Sequence, residues 1–300
     1  MTDKKDVCGV IVTYNPDDKC LYAIEQNYKT LEKIIVYDNS TNSEYHSRLS
    51  QLISNLNSQI DNSDKRILLI GNNQNVGLSK AYNACATIAD GLGFNFILLF
   101  DQDSFFDDNG LELLLEDYDC LSSMQKVGAI GPSFIHEGHR FYDFLFDGEF
   151  KWKGFLYLDF AMEVRDLINS GMLISLNAFF SISGYDEKIV LDNADRNFTL
   201  RLRTNGYHLF QSRRSKLVHN YGEKVPAGIL LHILYRNPSR DYFIKDLIRC
   251  LPIAKKVSFV DKCLIALLIL SKIFGALFLK DKKKERMYHI MRGIKEGLLN

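Results

Sequence analysis

Short apolar runs separated by longer amphipathic stretches fill the first 132 residues. VCGVIVTY (7–14), KIIVYD (33–38), RILLIG (66–71), FNFILLFD (94–101) and VGAIGP (127–132) are nearly continuous in apolar residues. That is the pattern of strands buried on both faces. Residues 16–28 carry Leu21, Ile24 and Tyr28 at helical spacing, and residues 77–93 put Leu78, Tyr82, Cys85 and Ile88 on one side. Strand–helix alternation of this kind predicts an α/β fold built on a mostly parallel sheet with helices on both faces.

The pattern changes after residue 132. Residues 133–165 are crowded with aromatics and keep no clean period. The segment from 167 to 211 then reads as strand, short helix, turn, helix over about 193–205, and strand, with Asn205-Gly206 stopping the second helix. Beyond about 225 the chain is helical and apolar, including CLIALLILSKIFGALFLK (263–280), and then turns basic in KDKKKER. The expected organisation is a first half at 1–132, a second half at 133–224 and a helical extension at 225–300.

Composition narrows the class. With 46% hydrophobic and 25% charged residues the chain is an ordinary globular protein. Lys+Arg and Asp+Glu balance at 37 each, which gives no electrostatic footprint for nucleic acid. The six cysteines are scattered, with no CxxC, and read as free thiols of a reducing compartment. The charged MTDKKD leads into an apolar run too short for a signal-peptide core, so a cytoplasmic location is expected.

In parallel α/β sheets ligands gather at the carboxyl ends of strands. Here those ends carry Thr13-Tyr14-Asn15, Asp38-Asn39-Ser40, Gly71-Asn72-Asn73 and Asp101-Gln102-Asp103. Two carboxylates ending a buried apolar run are costly unless a positive partner sits between them. A hard cation such as Mg²⁺ binds through one or two carboxylates plus phosphate oxygens and water, which suits a nucleotide diphosphate. The alternative is a solvated turn or a helix N-cap in the DDNG that follows. Gln102 is grouped with the nucleotide side, although strand alternation also allows it to face away. Asp38 is placed to accept the N3–H of uracil or thymine, with Thr13 and Asn15 reaching the nucleoside, or else to form an Asx-turn. In NNQNVGLSKAYNA, Asn75 and Gly77 bracket a helix start and Lys80 falls in its first turn, an arrangement that favours an anionic ligand.

The ordered set VTYN, YDNS, NQNVGLSKAYN, DQDS and NSGMLISLNAFFSISGYDE resembles the inverting glycosyltransferase family 2, of GT-A (Rossmann-like) fold, and within it the rhamnosyltransferase-like branch. The resemblance runs over roughly residues 7–245, and the terminal MRGIKEGL is similar to the branch's usual ending. It implies that Asp101 and Asp103 form the metal–diphosphate motif with Mg²⁺ or Mn²⁺. By the same resemblance Asp38 and Thr13 hold the nucleoside, and Asn75, Gly77 and Lys80 line the sugar-nucleotide side; Tyr14 and Asn15, at the end of the first strand, are grouped with the nucleotide site. It also implies that Asp195 is the general base, with Ala194 standing where relatives carry Glu. Asp192, grouped with the acceptor side, is the neighbouring candidate for that base, but it reads as the N-cap of the helix that carries Asp195. His219, the last residue of SKLVH, stands where many relatives place a histidine near the diphosphate or metal. The implied activity is metal-dependent, inverting transfer of a sugar to a growing cell-surface or lipid-linked glycan. The favoured donor is dTDP-rhamnose, with a UDP-hexose or UDP-galactofuranose next.

Trp152, the single tryptophan, is the aromatic selected for stacking on an acceptor sugar; core packing is its competing role. The apolar run at 263–280 is short for a bilayer span and is broken by Lys272 and Gly275. With the lysines beside it, it fits a helix lying on the inner face of the cell membrane, a homodimer contact or an ordinary buried helix. A sugar-1-phosphate nucleotidyltransferase would need a Gly-rich basic loop after the first strand, which VTYNPDDK does not supply. A non-catalytic glycan-binding relative would have lost the acids that this chain retains.

Overall fold

Each apolar run of the first half forms a strand: β1 (Val7–Thr13), β2 (Lys33–Asp38), β3 (Arg66–Ile70), β4 (Phe96–Phe100) and β6 (Val127–Ile135), with a short β5 (Ser104–Phe106) between the last two. The computed structural model describes residues 2–59, 66–107, 109–135, 154–219, 238–278 and 282–299. Strands β7 (Ala161–Glu163), β8 (Leu173–Ser175) and β9 (His208–His219) complete a nine-stranded sheet in the order β3-β2-β1-β4-β8-β6-β9-β5, with β7 beside β9. The block β3-β2-β1-β4 is parallel throughout. Beyond it the sheet is mixed, because β8 runs antiparallel to both β4 and β6.

Alternation along the central strands sends side chains to two layers. Val7, Ile11, Leu98 and Phe100 pack with Ile24 of α1 (Asp18–Thr30), Leu49 of α2 (Ser43–Ser58) and Leu114 of α4 (Gly110–Ser122). Cys8, Val10, Ile97 and Leu99 pack the other way, against Tyr82 and Cys85 of α3 (Leu78–Gly91), Phe179 of α5 (Leu176–Ser181) and Phe198 of α6 (Ala194–Thr204). Helices on both faces of the sheet are therefore the observed arrangement. The six cysteines are free, and four of them are buried.

After β1 the chain builds outward through β2 and β3, then returns to the opposite side of β1 as β4. That reversal opens a crevice between the carboxyl ends of β1 and β4, where ligands bind in such sheets. The extension consists of α7 (Ile244–Val257), α8 (Phe259–Phe278) and α9 (Lys283–Leu299). It is not a loose appendage. Leu200 of α6 packs with Leu247, Cys250 and Ala254 of α7. Asp261 of α8 receives Arg203 at 2.7 Å and Arg165 at 2.9 Å. Burial alone raises the Asp261 carboxyl, but the hydrogen bonds and charge of Arg203, with Ser258 and Arg165, hold it below its ordinary range. Among the described residues no helix is long and apolar enough to cross a membrane.

Candidate active site

The nucleoside side is assembled by strand register. Thr13 and Asp38 are partners in the β1–β2 ladder, both fully buried, and the Thr13 hydroxyl donates to Asp38 Oδ1 at 3.2 Å. The same oxygen accepts the Ser40 N–H at 3.0 Å, an Asx-turn closed within the strand end. The other oxygen, Oδ2, lies 3.1 Å from His46 Nδ1 in α2. The chain crowds in from β3 as well: a Cβ on Gly71, at φ +146°, would fall 2.6 Å from the Asp38 carbonyl oxygen. Asn15 takes a left-handed φ of 48° and donates its N–H to Ser40 Oγ at 2.9 Å.

Gln102 faces the crevice. Its Oε1 accepts the Tyr14 N–H at 2.9 Å, tying the turn after β4 to the end of β1. It is a brace across the switch point, flanked by Asp101 and Asp103, both partly exposed. The two carboxylates differ in what surrounds them. Asp103 acts with Asp17 and Asp38 on the Cys20 thiol, which burial first and these charges next push up to about 12. Asp101 acts instead on Tyr82, Tyr185 and Asp195. Asp103 thus acts electrostatically on the nucleoside side and Asp101 on the Asp195 side. The backbone of His219 pairs with Ser104, the residue after Asp103; its side chain lies outside the described residues, as does the whole of Trp152.

The start of α3 differs from an open anion site. Gly77 sits at φ +85°, its N–H bonded to Asn75 Oδ1 at 3.0 Å. The Leu78 N–H is taken by the Val190 carbonyl at 2.7 Å, and the Ser79 hydroxyl donates to the Ile189 carbonyl. Asn39 completes this joint, accepting the Val76 N–H at 3.1 Å and donating to the Gly77 carbonyl at 3.3 Å. A Cβ on Gly77 would lie 2.7 Å from the Val190 side chain. Asn75 and Gly77 thus lock the nucleoside side to the loop that precedes Asp195, and Lys80 is exposed on α3.

Asp195 stands in the first turn of α6 and is partly buried. Its Oδ1 accepts the Arg196 N–H at 2.7 Å. Burial first, then the charge of Asp166, push its carboxyl up to about 7; Arg196 offsets part of this and Asp101 adds to it. Asp166 is held by Arg196 Nε at 2.7 Å and by the Thr199 hydroxyl. The expected N-cap is displaced by one residue: Asn193, left-handed at φ 64°, precedes the helix and makes no side-chain cap bond. Asp192 instead pairs with Arg240, in the turn that leads into the extension.

Around Asp101 and Asp195 lies a polar group of residues that the sequence did not single out. Tyr185 donates to Asn169 Oδ1 at 2.6 Å and lies 5.2 Å, ring to ring, from Tyr82. Gly171 N–H bonds the Leu99 carbonyl at 2.8 Å, which sets Asn169-Ser170-Gly171 beside β4, the strand that leads into Asp101. The hydroxyls of Tyr82 and Ser170 are buried with no hydrogen-bond partner among the described residues. Burial, then the charges of Asp101 and Asp195, push the Tyr82 phenol well above its ordinary range, so it is a neutral donor. Asp166, His46 and these hydroxyls had no sequence signal of their own, although NSG before a short apolar strand marked the right segment.

A crevice at the switch point, a DxD after β4 and an acid in the first turn of α6 are the layout of a GT-A nucleotide-sugar fold. The sequence profile described as "Glycosyl transferase family 2" matches residues 10–183. The chain belongs to glycosyl transferase family 2 and is a glycosyltransferase. The matched span includes Thr13, Asp38, Asp101 and Asp103 and ends before Asp195. A curated relative, the dTDP-rhamnosyl transferase RfbF of Shigella flexneri, is 25% identical over 245 residues, covering 79% of this chain and 77% of the relative. Among solved structures, GalNAc-T7 with UDP, GalNAc and Mn²⁺ superposes with a TM-score of 0.54 at 14% identity, over 97% of this chain. This chain spans 56% of the GalNAc-T7 chain. S. aureus TarS 1–349 in complex with UDP-GlcNAc gives 0.53 at 13% identity, over 97% of this chain and 81% of that one. At these identities the two structures establish the shared fold.

Proposed function

We propose that the protein transfers rhamnose from dTDP-rhamnose to a hydroxyl of a cell-surface or lipid-linked glycan, by a single inverting displacement. The observation that carries the mechanism is the position of Asp195 in the first turn of α6, its Oδ1 accepting the Arg196 N–H at 2.7 Å, where burial and then the charge of Asp166 push the carboxyl up to about 7. The acceptor oxygen attacks the anomeric carbon as the bond to the nucleotide diphosphate breaks. Its proton passes to Asp195, and the bonding electron pair leaves with the diphosphate. A base with a pKa near 7 suits that task at neutral pH. The rhamnosyl donor is supported by the likeness to RfbF. A UDP-hexose or UDP-galactofuranose donor is the second reading, supported by the UDP and UDP-GlcNAc of the structural neighbours. In this reading residues 1–132 hold the donor, 133–224 the acceptor and the base, and 225–300 form the extension.

On the nucleoside side, Asp38 is fully buried and its carboxylate is engaged by Thr13, Ser40 and His46, so it sets the strand ends that present the exposed Tyr14 and Asn15 to the nucleoside. Asp101 and Asp103 fit a divalent ion that takes its remaining ligands from the diphosphate and water. Such an ion would supply Lewis-acid stabilisation of the departing diphosphate. Calorimetry with dTDP and UDP, each with and without Mn²⁺, tests this half of the reading. Binding of at least one nucleotide, tightened by the metal, is expected; a failure of both to bind removes the reading. A panel of nucleotide sugars then separates the two donors by turnover.

Tyr82 and Ser170, fully buried in this structure, are assigned to the donor sugar on the reading that its binding displaces the side chains that cover them. A buried hydroxyl without a partner costs about 1–3 kcal/mol, a cost that a sugar oxygen in the crevice would relieve. Tyr82→Phe is expected to lower kcat/KM for the sugar nucleotide about three- to tenfold. Affinity for the free nucleotide should hold, and the melting temperature should stay level or rise, since an orphan donor is removed. Equal losses for nucleotide and sugar nucleotide would reject the assignment.

A further inference from the structure

The outer face of α8 has no partner among the described residues. Steps of 100° per residue bring Phe259, Leu267, Leu270, Phe274, Leu277 and Phe278 within an arc of about 100°, and all six are exposed. Phe259, Phe274 and Phe278 are 76%, 62% and 66% exposed. The opposite face is the packed one: Ile265 joins Leu247 and Cys250 of α7, and Ala276 joins Ile244 and Ile290. Six large apolar side chains along about 30 Å of helix exceed the scattered apolar residues of an ordinary surface.

Charge selects the occupant. Lys255 and Lys256 are exposed just before the stripe, Lys262 flanks it, and Lys282, Lys283 and Lys284 are exposed just beyond it. Lys282 lies four positions after Phe278, a span of at most about 14 Å. Among the described residues after 255 the one exposed acid is Glu285. A second copy seated by two-fold symmetry would bring these lysine groups against one another. An anionic lipid surface meets both halves of the pattern, with apolar side chains in the acyl boundary and lysines at the headgroups.

We propose that α8 lies in the plane of an anionic membrane surface and docks the enzyme there through this stripe and its lysine rim. The inference is independent of the donor and the reaction. The test is co-sedimentation of the full chain with phosphatidylcholine vesicles, with and without about one-quarter phosphatidylglycerol. Binding is expected on the anionic vesicles and at least about tenfold less on the neutral ones. Leu270→Glu/Phe274→Glu should lower binding to anionic vesicles about tenfold or more. Lys282→Gln/Lys283→Gln/Lys284→Gln should erase the preference for anionic lipid. Both variants are expected to keep the native melting temperature, which shows that the helix still packs. Absence of vesicle binding by the native chain overturns the proposal. So does a concentration-dependent dimer that Leu270→Glu/Phe274→Glu dissociates while vesicle binding is unchanged.

Discussion

Asp195→Asn is expected to lower kcat about 10³-fold while affinity for the nucleotide diphosphate changes less than about threefold. The substitution is nearly isosteric, and an amide oxygen still accepts the Arg196 N–H that holds the carboxylate now. What it loses is the capacity to take a proton from the acceptor hydroxyl. Single-turnover rates and calorimetry on the same preparation separate the two effects. A fall in nucleotide affinity that matches the fall in turnover would move Asp195 out of the base role and into the donor site.

The same residue sets the pH dependence. Burial and Asp166 raise the carboxyl to about 7, and only its ionised form accepts a proton. Activity is therefore expected to rise with pH through about 7 and then level off. Asp166→Asn removes a charge that raises Asp195 and frees Arg196, which lowers it. The acid limb should then move to lower pH. Stability runs the opposite way. The folded state holds this proton more tightly than the unfolded chain, whose Asp titrates near about 3.9. Stability is thus lost as pH rises from about 4 to about 7. Asn at 195 lacks that loss, so the variant should melt higher than the native protein at pH 8 and level with it at pH 4.

The parallel block was legible because its strands are buried on both faces and read as unbroken apolar runs. β1, β2 and β4 fall within a residue or two of the ranges the pattern predicts. The insertion of β8 between β4 and β6 was not legible, since three residues carry no period of their own and their pairing is set by distant partners. The acids at the strand ends stood out against apolar neighbours. Asp166, by contrast, lies in an irregular stretch 30 residues before Arg196, the residue that gives it meaning. The one-residue error at α6 has a local cause. Asp192 has the side chain of an N-cap, but the left-handed turn at Asn193 ends that geometry, and Arg240 draws Asp192 toward the extension. Gln102 was ambiguous by alternation, and the Tyr14 N–H resolves it.

Asp101→Asn and Asp103→Asn are each expected to lower turnover about 10³-fold, several kcal/mol of transition-state stabilisation, and to erase any tightening of nucleotide binding by Mn²⁺. The described residues hold no cluster of three or more His, Cys, Asp or Glu. Two carboxylates alone make a weak site, so the metal is expected to bind well only with the diphosphate present. The two variants should also differ. Asp103 shares its surroundings with Asp38 and Cys20, so its loss should fall mainly on nucleotide affinity. Asp101 raises the Asp195 carboxyl, so the residual activity of Asp101→Asn should carry an acid limb at lower pH than the native enzyme, a shift that Asp103→Asn does not produce. Calorimetry and pH–rate profiles on the two variants read these separately. A nucleotide affinity that ignores Mn²⁺ in the native protein, or a metal response that survives both substitutions, would remove the pair from the metal–diphosphate role.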